Sequence, residues 1–110
     1  MNTKFISVSL GFIIVGLILV SFFWRQEMLL TILLVLMLIV KHKILPIKKE
    51  FTLFVIAGVS GTMVESLIML AGPWSYAKPN LLNFPIWLPF LWGNAGILGV
   101  TLYLGIIKQE

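Results

Sequence analysis

Apolar residues fall into four runs, with charged and polar residues gathered between them. The first covers residues 5–24 without a charge and is flanked by Lys4 and Arg25. The second, residues 28–40, is short, and taken alone it allows a re-entrant segment. It lengthens to residues 26–44 if Lys41 and Lys43 lie along the apolar surface and carry their ammonium groups to the headgroups. Pro46 stops that helix, because its ring blocks the preceding hydrogen bond. The third run is residues 51–72 and the fourth is residues 86–107. A span needs about 20 apolar residues. The pattern therefore predicts an all-α integral membrane bundle of four transmembrane helices within a single domain, 1–110, with spans at about 5–24, 26–44, 51–72 and 86–107. A cleaved signal peptide is the competing reading of the first run. That run ends Ser21-Phe22-Phe23-Trp24-Arg25, bulky where a cleavage site needs small residues. Residues 73–85 are rich in proline and aromatics, and such irregular backbone is expected at the membrane surface or against protein.

Composition supports the same class. Hydrophobic residues make up 60% and charged residues 11%, against about 25% charged in an ordinary soluble domain. The net charge is +4, but the basic residues sit between apolar runs, where lysine and arginine set topology. Lys41, Lys43, Lys48 and Lys49 crowd the second connection, opposed there by Glu50, while the first has Arg25 and Glu27 and the third only Lys78. The positive-inside rule makes the second connection and both termini cytoplasmic in a multi-pass cell-membrane protein, and Lys4 and Lys108 agree. An anionic-lipid site is the sharper reading of the lysine cluster. No basic face interleaves with aromatics, which argues against nucleic acid. There is no cysteine, hence no disulfide or thiolate metal site. His42, between two lysines, is a poor metal ligand.

The chemistry concentrates in the C-terminal half. Ala57 with Gly61, Gly58 with Thr62, and Ala95 with Gly99 form small-xxx-small pairs, and Gly93 and Gly96 extend that surface. This spacing lets membrane helices approach closely. Glu65 is the one ionisable residue deep within an expected span, where a carboxylate must face protein and be protonated or hydrogen-bonded. It lies ~10 Å from the outer end of its span and Asn94 ~12 Å into the next. The two are expected to meet and hydrogen-bond, with Tyr76, Trp74 or Ser66 in reach. Trp74, Tyr76, Trp87 and Trp92 suit an aromatic belt, and they also suit the walls of a shallow pocket with Glu65 and Asn94 as its polar floor. No second acid, histidine, cysteine or buried lysine is expected to be available to Glu65 to assist catalysis. The expectation is a non-enzymatic protein with no cofactor and no metal.

The run Gly72-x-Trp74-x-Tyr76-x-x-Pro79, followed by Trp87-Leu88-Pro89 and Gly96-Ile97, resembles the corresponding stretch of the Insig family over roughly a quarter of the chain. Those are polytopic membrane proteins that bind sterols and retain partner proteins in the endoplasmic reticulum. They have six spans, and the first two spans here do not resemble theirs. The chain is also similar to small prokaryotic multi-pass membrane proteins carrying a Glu, then Gly-x-Trp-x-Tyr, then Pro-x-Trp-Leu-Pro. The resemblance implies lipid or isoprenoid binding. Length and span number also suit the small multidrug transporters, but their embedded glutamate lies in the first helix, whereas Glu65 lies in the third.

The expected function is binding of a membrane lipid, an isoprenoid-like ligand or a partner membrane helix through spans three and four. Glu65, Asn94, Trp74, Tyr76, Trp87 and Trp92 form the site. The alternatives are a small proton-coupled transporter using Glu65, or a structural subunit or homo-oligomer within a membrane assembly.

Overall fold

The computed structural model describes residues 1–72, 74–76 and 83–108. These form four helices, α1 (Thr3–Phe23), α2 (Glu27–Ile44), α3 (Glu50–Met69) and α4 (Leu88–Ile107), and contain no strand. α1, α3 and α4 are long and apolar enough to cross a membrane. α2 is different: its 18 residues include Glu27, Lys41 and Lys43. Helix ends fall within two or three residues of the expected spans, and residues 70–72 and 86–87 belong to turns rather than helices.

Local chemistry sets the ends. The Asn2 side chain accepts from the Phe5 N–H at 3.3 Å, an N-cap that satisfies one orphan donor of α1. α2 closes on a Leu45 N–H donated to the Lys41 carbonyl at 2.8 Å, just before Pro46. The Ala71 and Gly72 N–H groups donate to the carbonyls of Ile68 and Met69, each at 3.0 Å. Gly72, at φ 89°, then takes the left-handed conformation that only glycine adopts cheaply. Pro89 occupies the first turn of α4, where a missing N–H costs little.

α4 is the centre of the bundle. It packs against α1, α2 and α3, whereas α3 rests chiefly on α4. Leu30, Leu34 and Leu38 of α2 meet Leu88, Ile97 and Leu98 of α4 in the core. Leu17, Val55, Met63 and Leu67 are among many large apolar side chains that point outward. Exposed apolar area on this scale is the kind of surface that contacts a membrane or a partner protein.

The α3–α4 contact uses the glycines. A Cβ on Gly58 would stand 2.6 Å from the Pro89 carbonyl oxygen, and one on Gly61 would stand 2.5 Å from the Trp92 indole. A Cβ on Gly93 would stand 2.7 Å from Phe54, and Gly96 faces Ala57 as tightly. Small residues thus bring the two backbones together, the arrangement membrane helices use where apolar side chains gain nothing by leaving lipid. The Ala95–Gly99 pair is the exception. Gly99 has nothing within 4 Å and Ala95 is exposed.

Candidate functional site

At the aromatic end of the bundle, Gly61 leaves room for the Trp92 indole to lie on α3. The indole N–H points at Glu65 Oε2 at 3.4 Å, a long hydrogen bond. The same oxygen accepts a firmer bond from the Tyr76 hydroxyl at 2.8 Å. Tyr76 is held in turn by Trp87, whose ring meets it edge-on at 5.7 Å and 88°. Trp87 is buried, so the Tyr76 ring leans on a fixed wall. Burial, the hydrogen bond to Glu65 and the carboxylate's charge together raise the Tyr76 phenol well above its ordinary range. Tyr76 is therefore a neutral donor at any physiological pH.

Tyr76 and Trp87 also line a recess of about 260 Å³, completed by Ser75, by Val20 of α1 and by Trp24 just beyond it. Arg25 sits over the Trp24 ring at 4.9 Å, a cation–π contact at the rim. On the other flank of α3, the Ser66 hydroxyl donates to Asn83 Oδ1 at 2.5 Å and Asn83 Nδ2 donates to the Ser66 carbonyl at 3.0 Å. These bonds pin the segment before α4 to α3. Ser66 therefore belongs to the loop anchorage and not to a network around Glu65.

Glu65, Tyr76, Trp87 and Trp92 come together as the sequence suggests. Two expected site residues do not join them. Trp74 is exposed. Asn94, 1% exposed, does not pair with Glu65; its Nδ2 donates to the Leu34 carbonyl of α2 at 3.1 Å and to the Phe90 carbonyl at 2.9 Å. Asn94 faces α2 and lies level with the middle of α3, where Gly93 abuts Phe54 and Gly96 abuts Ala57, about two turns deeper than Glu65 on the Trp92 flank. Lys78 and Pro79 lie outside the described residues.

A second polar cluster stands at the lysine-rich end. Lys41 is 0% exposed, and its Nζ contacts Glu50 Oε2 at 2.5 Å, so it does not reach for the headgroups as expected. His42 Nδ1 lies 2.7 Å from Glu50 Oε1, with its ring 4.6 Å from that of Phe51. Glu65 itself is half-buried, so the ionisable groups enclosed by the described bundle are Lys41 and Glu50 rather than Glu65. The opposite charges on either side of Pro46 were the available sequence signal, but composition alone reads them as solvated.

Compared with models of known protein families, with curated proteins and with solved structures, the chain matches none.

Proposed function

We propose that the chain is a four-span membrane protein that holds an amphipathic, lipid-like molecule in the recess beside Trp24, Tyr76 and Trp87. Pairing between Lys41 and Glu50 supports α2 as the fourth span, since it cancels a charge that would otherwise burden a short helix. The observation that carries the binding reading is the Tyr76–Glu65 bond. It fixes an aromatic wall against a carboxylate whose charge needs a protein environment this close to hydrocarbon. A recess that is mostly apolar with a few placed polar groups is the usual form of a small-molecule site. The resemblance of residues 72–97 to a lipid-binding family points the same way.

Native mass spectrometry of the detergent-released full chain tests this. The expected result is a retained lipid-sized adduct that is lost in Ser75→Trp, which fills the recess from an exposed position. Absence of any adduct, or equal retention by the variant, counts against it. A flux driven by a pH gradient and lost in Glu65→Gln would instead establish the transport reading.

A further inference from the structure

Away from the aromatic recess, a cleft of about 130 Å³ opens between α1, α2 and α4. Phe12, Gly16, Met37 and Leu91 are among its walls, and Asn94 is the one polar side chain among its lining residues. Leu17 and Ala95 form its rim, and both are exposed. The cleft therefore opens through the apolar surface and not toward either end of the bundle.

Asn94 gives this cleft a chemical preference. Its amide has two N–H donors and one acceptor oxygen. Both donors are used on carbonyl oxygens, those of Leu34 and Phe90, which fixes which end of the amide is nitrogen. Among the described residues no hydrogen bond to Oδ1 is found, and Asn94 lines the cleft. Water is a poor occupant. A buried water needs two to four polar partners, and apolar cavities of about 150 Å³ stay dry and take up benzene-sized molecules.

We propose that this cleft binds a membrane-dissolved alcohol, its hydroxyl donating to Asn94 Oδ1 and its hydrocarbon body leaving between Leu17 and Ala95. The volume limits the buried part to about the size of a phenyl ring. A bulky fused-ring skeleton does not fit inside. The site is separate from the recess beside Tyr76, and the two proposals stand or fall independently.

The probes are benzyl alcohol and toluene, which share a ring and differ in the hydroxyl. The readout is methionine-methyl NMR of the full chain in micelles, with the Met37 resonance as the local reporter. Benzyl alcohol is expected to move that resonance saturably, at a half-saturating mole fraction within the micelle phase roughly fivefold below that of toluene, the effect of one net hydrogen bond. Ala95→Leu, which plugs the rim without touching the bonds of Asn94, should abolish the response. If that variant does not fold, Leu17→Trp serves in its place. Equal response to the two probes, an unmoved Met37 resonance, or an unchanged response in the plugged variant would each overturn the proposal.

Discussion

Glu50 carries an unusual load for a single side chain, with Lys41 on one oxygen and His42 on the other at 1% exposure. Removing two ions from water is costly, and their attraction repays it only when geometry is good and the remaining polar atoms are satisfied. The pair is therefore far more sensitive to losing one member than to losing both. Lys41→Met should destabilise the chain by about 3–5 kcal/mol, and Lys41→Met with Glu50→Leu should recover most of that. Denaturant unfolding in micelles, run as a double-mutant cycle, measures it. Tyr76 gives a second expectation. Its folded pKa is raised, so folding favours the protonated phenol. The associated stability is complete below the ordinary tyrosine range and is lost only as pH climbs beyond it. In a Tyr103→Phe background, the folded protein should show no phenolate absorbance at about pH 11, and denaturation should release it. Phenolate appearing in the folded state at that pH would mean that Tyr76 is not buried against Trp87 and Glu65. Neither property was visible from the sequence. Lys41 reads as one more interfacial lysine because the residue that neutralises it lies nine positions on, across a turn that periodicity does not describe.

Helix positions and approximate ends follow from the apolar runs, because length and charge placement are local properties. The packing face of each helix is less local. Small-residue spacing correctly marks Gly58, Gly61, Gly93 and Gly96 as the α3–α4 seam. It marks Ala95 and Gly99 equally, yet Gly99 faces open space and Ala95 is an exposed residue at the rim of the cleft beside Leu17. The sequence pattern cannot separate a glycine that admits a neighbour from one that has none. Substitution does. Gly58→Ala sets a methyl against the Pro89 carbonyl and should cost about 1–3 kcal/mol as the helices are forced apart. Gly99→Ala meets nothing and should be neutral or stabilise by up to about 1 kcal/mol through helix propensity. Unfolding midpoints of the two variants should lie on opposite sides of, or one at and one below, that of the unaltered chain.

For the whole molecule, a four-span arrangement places Lys4 and Lys48 on one side of the membrane and Ser75 on the other. The chain has no cysteine, so single replacements at these three positions are unambiguous reporters. A membrane-impermeant maleimide applied to intact cells should label position 75 and spare positions 4 and 48. With α2 out of the membrane, positions 4 and 48 would fall on opposite faces while α3 still separated 48 from 75, so labelling of 48 with 4 and 75 spared would remove α2 from the membrane. The candidate site shows the same division between what counting residues along a chain can and cannot give. Counting placed Glu65 and Asn94 at similar depth, but the seam sets Gly93 and Gly96 beside Phe54 and Ala57, so Asn94 lies about two turns deeper than Glu65. It could not give their rotation about the helix axes, which is decided by the Trp92 ring lying on Gly61 and by the Leu34 carbonyl facing Asn94. The central position of α4 has a further consequence for biosynthesis. It is the last of the four helices in chain order, yet α3 has its main packing surface there. Until residues 88–107 leave the ribosome and enter the bilayer, the seam glycines of α3 face acyl chains and α1 and α2 can form only a hairpin. Assembly is therefore delayed until α4 has been made, and a chain stalled before that point presents a membrane quality-control protease with three helices that have not yet been joined.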